Sequence, residues 1–371
     1  MEVEEVRDRK GLIGFITMAK RLYKDDPNWV SPLVVDQLRF FDKERNPFFK
    51  HADTSFFVVR DEVGRIVGRI AATVDHRHNE IHNEKTGFFG FFDTIRDKNV
   101  SNALLDKTRE WLKERGMETI RGPFNLSINH ESGLLIEGFD DPPVIMMPYN
   151  PPWYSEILED YGFRKVKDLY AFWRDAYPEP PERLYRIADK VEKRTGVTVR
   201  SLRMSEFDRE IERFAEIYNA AWQDNWGFVP LDRDEIEFMA RRLKPVVKSD
   251  LVIFIEKDGE PVAASIVLPD YNQVLRRLKG SLFPFGICKL ILFSRHISRA
   301  RMIAMGVKRE WRRRGLELLL CLSSFKAARG LGYRGGELSW TLEDNYKVNS
   351  LITKDMGGRL YKRYRIYERA V

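Results

Sequence analysis

The stretch "VKREWRRRGLELLLCLSSFKAARGLGY", Val307–Tyr333, decides the fold. Leu318, Leu319, Leu322 and Phe325 recur at spacings of three and four, which predicts a buried helical face over 316–329. Gly330 and Gly332 stop that helix. Its start is unusual. Helix N-termini carry partial positive charge and favour Ser, Thr, Asp or Asn as the cap. Here Arg312, Arg313 and Arg314 crowd the start, and Gly315 stands where an oxygen-bearing cap belongs. Glu317 offsets part of the charge. Such a start calls for an anion.

The chain has 371 residues, enough for two domains of ordinary size. Hydrophobic residues make up 43% and charged residues 32%, which places it among soluble globular proteins. The opening "MEVEEVRDRKG" has no apolar signal segment, and no run reaches membrane-spanning length. Cys288 and Cys321 give neither a metal spacing nor a disulfide framework, so a cytoplasmic location is expected. The net charge of +7 is either a solvated surface or the mark of an anionic ligand or partner.

A proline-rich stretch, "RDAYPEPPERL" (174–184), suggests a boundary between a domain 1–175 and a domain 176–371. A faint repeat links the two sides. "DPNWVSPL" (26–33) answers to "DNWGFVPL" (224–231). "EWLKERGMETIRGP" (110–123) answers to "FKAARGLGYRGGEL" (325–338). "EDYGFRKVKDLYAFW" (159–173) answers to "TKDMGGRLYKRYRIYE" (353–368). Three matches in one order point to a duplication. In the second half, strands are expected near 197–203, 251–257, 261–268, 301–308, 334–341 and 358–368. Helices are expected over 206–222, 232–244, 316–329 and 344–355. A hairpin is expected at Asp258-Gly259. That mixture predicts an α+β fold on a mixed sheet.

The second half, roughly 197–371, resembles the GNAT acyltransferase superfamily. The family signature is a strand ending in Val and, five residues on, Arg/Gln-x-x-Gly-x-Gly/Ala opening a helix. Val307, Arg312, Arg313, Arg314, Gly315, Leu316 and Glu317 match that spacing, with Glu317 in place of the final small residue. The resemblance implies two tandem GNAT-like domains, each a mixed twisted sheet flanked by helices. It also implies a pyrophosphate of acetyl-CoA or another acyl-CoA at this turn, where glycine allows close approach and backbone N–H groups cradle the anion. Met305, Gly306 and Val307 would line the pantetheine arm. Asn345, which opens the next helix, would lie beside coenzyme A or serve as a plain helix cap. The first half, reading "GFFGFFDTIRDKNVSNALL" over 87–105, lacks the Arg-x-x-Gly start. Asn99 or Ser101 reads there as an ordinary N-cap, so this half is expected to be degenerate and cofactor-free.

In the resembling fold an amine attacks the thioester directly. Asp270, closing "VLPDYN", and Glu337 are candidate bases, and both also read as solvated carboxylates. The position of the family's usual acid holds Ile352. Tyr361, Tyr364 and Tyr367 follow on the final strand, where packing competes with catalysis; Tyr364 is the candidate acid. Trp222, Asn225, Trp226 and Phe228 lie in the loop that lines the family's acceptor pocket, and they read equally as a hydrophobic plug. The segment 122–154 interleaves Asn125, Ser127, Asn129 and Glu131 with apolar residues, as a recognition surface or an exposed strand and turn would. "DHRHNEIH" reads as a solvated strand end, without metal-ligand spacing. The apolar run 281–301 reads as a core helix ahead of an acyl channel or a membrane contact.

These readings converge on a GNAT-type acyltransferase acting on a small-molecule or peptide amine, with nucleic acid an unfavoured partner. Two rivals stand beside it. One is a Fem-type ligase, which also duplicates this fold and takes its acyl group from aminoacyl-tRNA. The other is a non-catalytic module that binds acyl-CoA or nucleic acid.

Overall fold

The computed structural model describes residues 2–281 and 286–371, without the side chain of 287. Part of the apolar run 281–301, which reads as a core helix ahead of an acyl channel or a membrane contact, thus lies outside the described residues. Two compact units are present. One comprises Met1–Leu169, Asn272–Phe293 and Lys362–Val371; the other comprises Tyr170–Tyr271 and Ser294–Tyr361. The chain passes between them within two strands as well as in loops.

The first unit runs β1 (Val3–Glu5), α1 (Arg9–Leu22), α2 (Val34–Phe40), β2 (Ala52–Arg60), β3 (Ile66–Asp75), α3 (His76–His82), β4 (Thr86–Thr94), α4 (Lys98–Lys113), β5 (Thr119–Gly122), β6 (Leu134–Glu137) and α5 (Tyr154–Asp160), then enters β7 (Arg164–Asp175). The rest runs α6 (Glu182–Thr195), β8 (Thr198–Ser201), α7 (Phe207–Trp222), α8 (Arg233–Leu243), β9 (Val252–Lys257), β10 (Glu260–Pro269), α9 (Asn272–Leu278), α10 (Gly286–Ser294), β11 (Arg299–Val307), α11 (Leu316–Gly330), β12 (Gly335–Leu342), α12 (Tyr346–Ser350) and β13 (Arg359–Ala370). Among the described residues no helix is long and apolar enough to cross a membrane.

The strand orders are the same in both units: β1-β2-β3-β4-β5 in one, β8-β9-β10-β11-β12 in the other. Neighbours are antiparallel except the last pair of each set, β4 with β5 and β11 with β12, which are parallel. Sequence pattern explains much of this. Asp258 and Gly259 both take positive φ, 53° and 87°, which closes the β9–β10 hairpin at the expected dipeptide. Asp232 and Glu235 form a capping box that starts α8. In the second unit, α6 and α11 bury Leu184, Val191, Leu316, Leu319 and Leu320 against one face of the sheet. α7 and α8 bury Phe207, Ile211, Ile217 and Ile236 against Val252, Phe254 and Ala264.

Two local expectations are corrected. The histidine cluster forms helix α3 rather than a strand end, because Asp75 accepts from the His78 N–H as its cap. Helix α4 is capped by Asp97, whose carboxylate accepts from Asn99 N–H at 2.8 Å, not by Asn99 or Ser101.

Candidate active site

β11 and β12 share a register only from Arg299/Gly335 to Met302/Leu338 among the described residues. Yet β11 continues to Val307 and β12 to Leu342, so the strands part beyond Met302. On its other side β11 stays paired with β10 as far as Val307/Ala263. The edge facing the parting is where an extended guest can form main-chain hydrogen bonds.

The first unit has the same parting. β4 pairs with β5 from Thr86/Thr119 to Phe88/Arg121 and then runs on to Thr94. There the chain fills it. Phe124 N–H donates to the Phe89 carbonyl at 2.7 Å, and Phe91 N–H donates to Asn125 Oδ1 at 2.8 Å. Gly90 permits this approach, since a Cβ there would lie 1.8 Å from the Phe124 oxygen. The loop continues to satisfy itself. Asn125 Nδ2 donates to Glu131 Oε2 at 2.8 Å, Ser127 Oγ meets His130 Nδ1 at 2.9 Å, and Asn129 N–H donates to Ser127 Oγ at 3.3 Å. These bonds pair Asn125, Ser127 and Glu131 within the loop.

At the start of α11 the backbone enters the left-handed region twice, at Arg313 (φ 64°) and Gly315 (φ 92°), and no side chain caps the helix. Turns of this kind form anion-binding concavities. Arg312 is engaged elsewhere: it donates to Asp224 Oδ2 at 3.0 Å and to the Ala221 carbonyl at 2.7 Å. Arg313 and Arg314 are exposed, Arg314 with its guanidinium over Trp311. Leu316 is buried. Glu317 lies one turn before Cys321, whose thiol is pushed up to about 12 by burial and by the Glu317 charge. Asn345 caps α12 through Val348 N–H.

The helix-loop residues divide. Trp222 stacks on Tyr218, with centroids 4.7 Å apart, and lies against β11 at Gly306. A Cβ at 306 would sit 2.3 Å from the Trp222 ring, so that glycine is needed for the tryptophan itself. Phe228 is buried against Tyr218. Asn225 shapes the turn, its N–H donating to the Trp222 carbonyl at 2.8 Å, and Trp226 is half-buried beside it.

A buried polar group lies where the strands begin to part. Strand alternation puts Arg301, Glu337 and Ser339 on one face. Ser339 Oγ donates to Glu337 Oε1, and Tyr361 OH donates to Glu337 Oε2. Arg301 Nε donates to Ser339 Oγ at 2.8 Å and lies 3.8 Å from Glu337. Glu337 is 1% exposed. Of the residues named from the sequence, Glu337 stands in this group. Asp270 is buried at the end of β10, its N–H donating to the Arg299 carbonyl. Tyr364 is fully buried on β13 opposite Leu135, in the first unit. Tyr361 is the tyrosine that reaches Glu337. The pairing of Glu337 with Ser339 was legible as an i, i+2 pair on one strand; Arg301 and Tyr361 come from other strands and were not.

No family model matches the chain. It is 38% identical over 372 residues to Protein YghO of Escherichia coli (strain K12), covering 98% of this chain and 94% of that protein. It is 38% identical over 381 residues to the bacterial ceramide synthase of Caulobacter vibrioides (strain NA1000 / CB15N), covering 100% and 98%. A tandem GNAT protein from the clavulanic acid biosynthesis pathway superposes with a TM-score of 0.58 at 15% identity, over 100% of this chain and 98% of that one. The fold is therefore the tandem GNAT fold.

Proposed function

We propose that this chain, which belongs to the protein family of YghO and the bacterial ceramide synthase, transfers an acyl group from an acyl-CoA to an amine. The observation that carries the reading is the parting of β11 and β12 above a glycine-started helix, unfilled among the described residues, against a first-unit parting filled by Phe124 and Asn125. Acyl-CoA, when bound, supplies an activated thioester. The turn Arg312–Glu317 and the first N–H groups of α11 would hold its phosphates, with Arg313 and Arg314 adding charge-assisted bonds. Met305, Gly306 and Val307 present the strand edge along which its arm would pair. A β11 N–H would polarise the carbonyl. Glu337, reached through Tyr361 or Ser339, takes the proton the amine must lose, and Tyr361 returns one to the departing sulfur. A ceramide is an amide of a long-chain amino alcohol, so the relative's name describes N-acylation of a lipid amine. We assign that acceptor class to this chain, with Trp226 and Asn225 at its entrance.

The test follows thiol release from acyl-CoA in the presence of a long-chain amino alcohol. Glu337→Gln should lower kcat by about 10²–10⁴-fold with coenzyme A affinity retained. Wild-type protein that binds no coenzyme A would sink the proposal.

A further inference from the structure

The two faces of the sheet differ at the point where β11 and β12 part. Arg301, Glu337 and Ser339 take one face. Ala300 and Met302 take the other, packed towards Ala327 and Ala328 of α11. On that second face lies a cavity of about 70 Å³, lined by Met302, Leu338, Cys321, Phe325, Ala328 and Met356 among others. This is several times the roughly 10–15 Å³ that admits one water in the same measure. Its origin is visible in the helix. α11 carries leucines at 316, 318, 319, 320 and 322, then small residues at Ser323, Ser324, Ala327 and Ala328. Gly335 and Gly336 face them from β12 and also line the space. Ser324 Oγ is already paired, 2.8 Å from Ser265 Oγ. Arg174, Arg329, Tyr333 and Glu337 also line the space, so its wall is mostly rather than wholly apolar.

The cavity connects to the donor strand. Met302 and Leu338 are the last paired residues before the strands part, and both line it. Cys321 lines it too, and its Sγ lies 3.4 Å from Sδ of Met305 on the parted stretch of β11. A carbonyl held on that stretch would have a polar proton-transfer group on one side and an apolar recess on the other.

We infer that this cavity receives the methylene chain of the acyl donor and sets which chain lengths the protein accepts. The inference rests on the acyl-CoA reading above. An apolar recess at the fork of the parting fits a hydrocarbon chain and has no use for an acetyl group alone.

The test measures binding rather than turnover. Calorimetry compares coenzyme A with its unreactive S-alkyl thioethers of ethyl, butyl, octyl and hexadecyl length. Affinity should rise with length, by up to about fourfold per methylene buried, until the cavity is full. Ala328→Phe should fill the recess and cost the octyl thioether roughly tenfold or more, leaving coenzyme A within about twofold. Phe325→Ala should enlarge it and move the plateau to a longer chain; it covers the case in which Ala328→Phe fails to fold. Coenzyme A binding with no dependence on chain length overturns the inference and leaves the acyl-CoA reading standing. So does a length dependence that neither variant alters. Absence of coenzyme A binding in the wild type overturns both.

Discussion

Gly315 offers the sharpest perturbation of the proposed donor site. It sits at φ 92°, where any side chain is strained by about 1–2 kcal/mol. A Cβ there would also lie 2.8 Å from Val191 Cγ2. Val191 is buried in the α6–α11 core and cannot swing into solvent, so the overlap costs about 1–3 kcal/mol more. Together these amount to about 2–5 kcal/mol if the turn keeps its shape. That is a large part of a typical domain's stability, so the turn should partly relax instead. Relaxation would move the N–H groups that are proposed to hold the phosphates.

Gly315→Ala should therefore lose roughly 1–3 kcal/mol in urea unfolding and at least about tenfold in coenzyme A affinity by calorimetry. Val191→Ala separates the two causes. In the double variant the overlap disappears while the left-handed strain remains. The two stability losses should then be sub-additive by about 1 kcal/mol, with affinity still low. Destabilisation with unchanged affinity would refute the cradle. Strict additivity would refute the steric half of the reasoning.

Other outcomes follow from the same geometry. Gly306→Ala should destabilise by about 1–3 kcal/mol, and Trp222→Leu should relieve part of that loss, since a Cβ would still lie 2.8 Å from Ala221 Cβ; independent effects in thermal melts would show that Trp222 yields. Asn125→Ala leaves the Phe91 N–H without its partner and should cost about 1–3 kcal/mol, while coenzyme A affinity holds. Trp226→Ala should weaken acceptor use far more than coenzyme A binding, and equal losses would mark that loop as a structural plug. Burial, and then the neighbouring His82, hold the His78 imidazole at about 4. A histidine kept neutral by the fold contributes fully above its unfolded value near 6.5 and loses that contribution as pH falls from there towards 4. Stability should drop by up to roughly 3 kcal/mol across this window, and His78→Asn should flatten the acid limb in urea titrations.

What the sequence disclosed was local. Leucine spacing marked α11, Asp258-Gly259 marked the hairpin, and the glycine start marked an unusual helix N-terminus. Misreadings came where two local signals competed. His76 and His78 alternate as in a strand, yet Asp75 caps a helix over the same residues. The stretch predicted as one helix over 344–355 is a short α-helix continued by a wider turn over Leu351–Asp355. The candidate site depends on contacts far apart in sequence. Arg301 meets Ser339, and Tyr361 meets Glu337, only because β11, β12 and β13 come together. Periodicity within one strand says which residues share a face, not what faces them. The filling of the first parting was hidden for the same reason: Asn125 read as a polar loop residue until its carbonyl met the Phe91 N–H.

That filling bears on why, among the described residues, the second unit has no such pairing at its parting. Backbone N–H and C=O groups at a parting are costly unless something pairs with them. In the first unit the segment after β5 turns back at once, and Phe124 and Asn125 pair with β4. In the second unit the segment after β12 is committed elsewhere. Asn345 caps α12, Thr341 Oγ1 donates to Asn349 Oδ1 at 2.6 Å, and Asn349 Nδ2 donates to the Leu342 carbonyl at 3.0 Å. These bonds fasten α12 to the end of β12 and use the residues that would otherwise fold over β11. The same framework thus yields a first parting filled by Phe124 and Asn125 and a second that, among the described residues, no such pair fills, through a few side-chain amides after the last parallel strand. The second copy is the one whose helix begins with arginines and a left-handed glycine.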